Sequence, residues 1–240
     1  MERLPARKHT GSGKLSRRAF VGMATIGQAP RDDLVPDIRR LGGIEGEILE
    51  CGALDGLGTA EIRELAPQGG EYPLVVRLKD GSTAMLSRDR LVPRMQRCVD
   101  SLVERGAGVV LILCFGEWPP FKSTKLVVRP LEPLCALVRA LGDAGGGVGV
   151  IVPAEGQVAE FEGKLSCEGM AATVVYAPPY GAQDELVRAS ERLRDSGVDV
   201  VAMACPGYTS EMKAVVRQIT GRPVVLARSL MGYLARELGG

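Results

Sequence analysis

The chain has 240 residues, 45% of them hydrophobic and 25% charged, enough apolar material to bury one large core or two small ones. No apolar run approaches the ~20 residues of a membrane-spanning helix, so no membrane-embedded part is expected. The formal net charge of +1 hides an asymmetry: residues 1–18 carry Arg3, Arg7, Lys8, Lys14, Arg17 and Arg18 against the single acid Glu2. The remainder is net acidic, which argues against a nucleic-acid-binding surface on the folded part.

Residues 1–18 read as a flexible basic tail. Within it, Gly11-Ser12-Gly13-Lys14 looks like the end of a phosphate loop, but Leu15 replaces the Ser/Thr and no strand precedes it. Ser16-Arg17-Arg18 has the form of a twin-arginine export signal. The apolar stretch 19–26 is short for such a signal, however, and runs into Gln28-Ala29-Pro30-Arg31-Asp32-Asp33 instead of a small-residue cleavage site. We read it as a first buried strand and its loop, in a cytoplasmic protein.

Short continuous apolar runs, the mark of buried parallel strands, follow at 19–27, 46–51, 108–114, 147–153, 172–177, 199–205 and 223–227. Helical periodicity alternates with them at about 31–41, 90–105, 131–142, 155–168, 183–196, 209–220 and 228–238. This alternation predicts βαβ units and parallel sheets. The exception is 72–87, where Lys79-Asp80-Gly81 separates two alternating runs and predicts an antiparallel hairpin. The loop Gly145-Gly146-Gly147-Val148-Gly149 precedes its strand and so does not fit a dinucleotide fingerprint.

The segments starting at Met95 and Leu186 align without a gap at a shift of 91 positions, placing Gly106 on Gly197, Cys114 on Cys205 and Gly116 on Gly207. The first strands, at Val21 and Val148, match at a larger shift, and a hairpin inserted in one copy accounts for the difference. The expected fold is therefore α/β, with two pseudo-symmetric parallel-sheet (Rossmann-like) halves and a β-hairpin insertion in the first. The first half spans 19–130, with 225–240 returning to it, and the second spans 131–224.

The only histidine is His9 in the tail, so the body cannot host a Ser-His-Asp triad, a Cys-His pair or a histidine metal cluster. The six cysteines form no C-x-x-C, and neither a structural zinc nor a disulfide framework is expected. Cys51, Cys98, Cys135 and Cys167 read as core thiols. Cys114 and Cys205 differ, because each sits where a buried strand gives way to a glycine-containing loop, the place where open parallel sheets bind ligands. Thr209 or Ser210 should cap the next helix, whose N-terminus would favour a Cys205 thiolate. Glu117 and Tyr208, each three residues past a cysteine, are possible proton partners.

Two thiols facing across a small cavity suit proton transfer at a carbon next to a carboxylate, one removing a proton while the other delivers one to the opposite face. Backbone N–H groups near Gly27, Gln28, Phe115, Gly116, Pro153 to Gln157 (Glu155 included), Gly207 and Tyr208 could stabilise the charge that develops. Arg31 is the nearest ion-pair partner for a substrate or, with Asp32 and Asp33, a solvated first helical turn. No cofactor or metal is called for. The expected partner is a small carboxylate, with neither nucleic acid nor membrane, and a homodimer is the default assembly.

The first strand with Ile26-Gly27-Gln28-Ala29-Pro30-Arg31-Asp32-Asp33, the Ala53-Leu54-Asp55-Gly56-Leu57 stretch, Val148 to Pro153, and the strand ends at Cys114-Phe115-Gly116 and Cys205-Pro206-Gly207-Tyr208 resemble the AroM family. That family is similar to the cofactor-independent aspartate/glutamate/hydantoin racemase superfamily, which has two pseudo-symmetric α/β halves and a cysteine pair between them. The resemblance implies that Cys114 and Cys205 transfer the protons. Phe115 and Pro206 stand where those enzymes usually have a hydroxyl or amide residue. The expected function is a racemase or epimerase of a small amino or hydroxy acid, or a cyclic derivative. The alternatives are a single-cysteine decarboxylase, a cis–trans isomerase or lyase on the same fold, and a non-catalytic protein that binds a small acid.

Overall fold

A computed structural model describes residues 20–142, 147–167 and 172–239, except for the side chains of Gly142, Ser166 and Cys167. The basic tail with His9, the residue 11–14 and 16–18 motifs, Gly145 and Gly146 of the 145–149 loop, and the Cys167 thiol lie outside the described residues.

The first half runs β1 (Phe20–Thr25), α1 (Val35–Gly42), β2 (Ile48–Gly52), α2 (Thr59–Glu64), β3 (Pro73–Arg77), β4 (Thr83–Ser87), α3 (Arg88–Glu104), β5 (Ala107–Ile112) and β6 (Leu126–Val128). The second runs α4 (Leu131–Gly142), β7 (Val148–Val152), a 3-10 turn (Glu155–Gln157), α5 (Val158–Cys167), β8 (Ala172–Tyr176), α6 (Gln183–Asp195), β9 (Val200–Met203), α7 (Ser210–Thr220) and β10 (Val224–Leu226), ending in α8 (Ala227–Gly239). The expected helix over 31–41 starts only at Val35, with Pro36 in its first turn, where a missing N–H is tolerated. Two elements escaped the sequence reading. Helix α2 buries only Ile62, and edge strand β6 is three residues long, too short for any periodicity to register.

Two four-stranded parallel sheets form, ordered β2-β1-β5-β6 and β8-β7-β9-β10. The orders correspond strand for strand, and the antiparallel hairpin β3-β4 is extra to the first half. The matched glycines Gly106 and Gly197 follow α3 and α6 with φ of 101° and 73°, a left-handed conformation that ends each helix and turns the chain into β5 and β9.

Strand alternation divides the interior into three layers. Val109, Leu111 and Leu113 face the same apolar layer as Val200, Ala202 and Ala204, and this layer also takes in α1, α4, α5 and α8. The alternate residues Val110, Ile112 and Cys114 face α3 and the hairpin. Their counterparts Val201, Met203 and Cys205 face α6 and α7.

Helix α8 follows the last strand of the second sheet and packs on α1 of the first half, so closely that a Cβ on Gly42 or Gly232 would collide with the other's backbone. Glycine is needed at this crossing. No helix among the described residues is long and apolar enough to cross a membrane.

One expectation is corrected. Cys51 and Cys98, read as separate core thiols, form a disulfide with Cα atoms 5.4 Å apart. Strand register sets Cys51 beside Ala24, and Cys98 lies on the buried stripe of α3 with Met95 and Leu102. The pairing depends on how β2 meets α3, which neither local sequence reveals.

Replacing Gly232 by valine should force α8 away from α1 and cost about 1–3 kcal/mol, lowering Tm by roughly 3–10 °C for a chain of this size. Thermal unfolding of the variant beside the parent checks this, and an unchanged Tm would contradict the close crossing.

Candidate active site between the two sheets

Cys114 and Cys205 each lie two residues beyond the end of a central strand, β5 and β9 respectively. Their surroundings repeat. The backbone N–H of Gly116 donates to Cys114 Sγ at 3.4 Å, and that of Gly207 donates to Cys205 Sγ at 3.4 Å. Both thiols line one narrow cleft, with a cavity volume of about 30 Å³.

The walls of the cleft are largely apolar. Ile26 and Leu34 come from the β1–α1 connection, Leu113 and Phe115 flank Cys114, and Ala204 and Pro206 flank Cys205, with Pro153 after β7. Hairpin strand β3 supplies another wall through Leu74 to Arg77. The hairpin expected from sequence at 72–87 therefore covers the site.

Burial pushes both thiols up, Cys114 to about 11 and Cys205 to about 12. The glycine N–H bonds act in the opposite sense but are outweighed. At Cys114 the nearby buried indole of Trp118 also favours the thiolate. At Cys205 the charge of Cys114 raises the thiol further, while Arg31 and Arg228 lower it. The expected helix-stabilised thiolate is thus corrected. Helix α7 starts at Ser210, five residues past Cys205, and its cap Thr209 accepts from the Met212 N–H. Desolvation dominates.

The structure sorts the other expected site residues. Arg31 reaches the cleft but is already paired: Nε and Nη2 donate to the two Asp33 oxygens, each at 2.8 Å, and Nη1 donates to Thr25 Oγ1 at 3.0 Å. Gly27 turns its N–H to Thr25 Oγ1 at 3.2 Å. Gln28 lies in an outer chamber beside Arg31, where its Oε1 accepts from the Lys79 N–H at 3.0 Å and ties the loop to the hairpin. Phe115, Gly116, Pro153 and Gln157 line the cleft. Gln157 donates to the Pro73 carbonyl at 3.1 Å, leaving Oε1 buried without a partner.

Glu155 lies outside the cleft, in a neighbouring groove with Tyr176 and Met85. Tyr208 is fully buried, and its hydroxyl donates to the Ala177 carbonyl at 2.7 Å. Burial also holds its pKa well above normal, so it is a core residue and not a proton partner. Gly207 acts through its bond to the Cys205 sulfur. Glu117 pairs with Lys164 at 3.3 Å outside the cleft.

Three contributors escaped the sequence reading. Tyr180, in Pro178-Pro179-Tyr180-Gly181 after β8, lines the cleft and lies under the Arg77 guanidinium, 5.4 Å from ring centroid to Cζ. A proline pair at a buried strand's C-terminal end is a signal that could have exposed it. Arg77 lines both the cleft and the outer chamber. Arg228, buried at the start of α8, donates to the Pro206 carbonyl at 2.9 Å and to Asp37 of α1 at 3.0 Å, and reaches the Gly207 carbonyl at 3.5 Å. No local pattern marks it. Among the described residues, no group of three His, Cys, Asp or Glu side chains could hold a metal ion.

The family model for the AroM protein matches residues 21–239, both halves and both cysteine loops included. The chain belongs to the AroM family. This AroM chain is also similar in fold to unliganded arylmalonate decarboxylase, at 16% identity and a TM-score of 0.58, over 92% of this chain and 93% of that one. Glutamate racemase from Aquifex pyrophilus matches at 15% identity and a TM-score of 0.55, over 91% and 83% of the two chains. Aspartate racemase from Picrophilus torridus matches at 12% and 0.51, over 92% and 94%. No functionally curated protein matches the sequence. At these identities the likeness is one of fold alone.

Arg228 positions the Cys205 loop of this AroM protein. Substituting methionine removes charged hydrogen bonds worth about 1.5–3 kcal/mol each. The denaturation midpoint should fall, and a thiol reagent should label Cys205 faster while Cys114 keeps its rate. Equal acceleration at both sulfurs would show general loosening instead.

Proposed function

We propose that this protein racemises or epimerises a small carboxylic acid without a cofactor, using Cys114 and Cys205 as the two proton-transfer groups. The observation that carries this reading is the opening of both thiols, in matched N–H···S settings, onto one cleft. In the forward step the C–H bond next to the carboxylate breaks and its proton goes to one thiolate. The electron pair stays on carbon, delocalised into the carboxylate, until the opposing thiol returns a proton to the other face. The two sulfurs exchange protonation states and the configuration inverts. The racemase likenesses agree with this chemistry.

Solvent deuterium should enter the substrate at the acidic carbon, and changing both cysteines to serine should abolish the incorporation. Mass spectrometry of small acids incubated in heavy water reads it directly. Exchange that persists in the double variant would remove the mechanism.

A second reading, decarboxylation with one thiol as proton donor, draws on the elevated thiol pKa values, which keep both sulfurs protonated at neutral pH, and on the arylmalonate decarboxylase likeness. There the bond to a carboxyl group breaks, carbon dioxide leaves, and the carbanion takes its proton from sulfur. The pH profile separates the two. Racemisation needs one thiolate, so kcat/KM should rise about tenfold per pH unit below the first thiol pKa of about 11. Decarboxylation needs the protonated form, so its rate should be flat through neutral pH and fall only as the donor ionises.

A further inference from the structure

The cleft residues include two cations, Arg31 and Arg77, and no Asp or Glu. The two arginines differ in availability. Arg31 is buried, and both oxygens of Asp33 neutralise it. Arg77, the exposed last residue of hairpin strand β3, has no carboxylate partner among the described residues and stacks over the Tyr180 ring. It stands where the cleft meets the outer chamber, lining both.

An acid entering this cleft brings a negative charge out of water, at a cost of several kcal/mol unless a cation receives it. Arg77 is the cation whose charge is unmatched. A guanidinium presents paired N–H groups that fit a carboxylate, and stacking on an aromatic ring holds its plane in place. The converse concerns the rest of the substrate. An α-ammonium group would lose its hydration among Ile26, Leu74, Leu113, Ala204 and Pro206 with no carboxylate in the lining to replace it. Asp32 and Asp33 line the outer chamber and not the cleft, and Asp33 is held by Arg31.

We infer that Arg77 binds the substrate's carboxylate and that the site selects acids without an ammonium group, in which the reacting carbon carries an apolar, carbanion-stabilising substituent. This deepens the proton-transfer reading and rests on it for the place of the reacting carbon. Without an ammonium the C–H bond is less acidic, so an unsaturated substituent is needed to spread the negative charge. The apolar walls favour such a group. Arg77 then sets both affinity and substrate class, a role that no sequence motif marks.

Two nearly isosteric acids test this: 2-phenylpropanoate, with a methyl on the reacting carbon, and phenylglycine, with an ammonium there. Titration calorimetry on the full chain should find 2-phenylpropanoate bound at least tenfold more tightly. Arg77→Gln should weaken that binding at least tenfold and Arg77→Lys should restore part of it, while Tm stays near the parent value because Arg77 is exposed and has no ion pair among the described residues. Equal or tighter binding of phenylglycine, undiminished binding by Arg77→Gln, or failure of 2-phenylpropanoate to bind would each overturn the inference. Deuterium uptake at the α-carbon is read separately. Binding of 2-phenylpropanoate without exchange would sustain Arg77 and count against the two-thiol mechanism. Exchange confined to phenylglycine would do the reverse.

Discussion

The apolar layer shared by the two sheets is the constraint on which the thiol site depends. Val109, Leu111 and Leu113 of one half and Val200, Ala202 and Ala204 of the other pack into it from opposite sides. Because side chains alternate along a strand, burying these residues fixes the direction of the residues between them. Cys114 and Cys205 each lie one step past the last of these inward residues, so the packing that joins the halves also orients the sulfurs. A strand slipping by one residue would turn Cys114 into the shared layer and Phe115 out of it.

The same packing removes water from the thiols, and their chemistry follows. A fixed N–H from glycine offsets only part of the desolvation cost at each sulfur. Ionising one sulfur also makes ionising the other harder, since each thiolate's field reaches the other. The pair therefore favours a state with at most one negative charge, which is what a proton passed from one side to the other requires. The neutral thiols suit a buried apolar setting, and charge enters the site mainly through its mouth.

Much of the architecture was legible because buried parallel strands announce themselves as apolar runs, and because Gly106 and Gly197 mark the same helix end in both halves. The cysteines were legible for the same reason, a change from apolar run to glycine at a strand end. What could not be read is whatever joins residues distant in sequence. Arg228 holds the Cys205 loop from 22 positions away, the Cys51–Cys98 bond spans 47, and Tyr180 meets Arg77 only because the hairpin folds over the second half. Tyr208 shows the opposite error. Nearness in sequence to Cys205 suggested a proton partner, whereas its hydroxyl turns away to the Ala177 carbonyl. The hairpin turn itself was found from Asp80-Gly81, but the direction in which its strands lean is set by tertiary packing and by the bond from Lys79 to Gln28.

Helix α8 locks against α1 and holds the Cys205 loop through Arg228, whose bond to Asp37 spans 191 positions. The first sheet and its hairpin contain no part of that clasp. Neither half alone therefore completes the wall around both thiols, and the cleft takes its shape from a contact between stretches of chain that lie far apart.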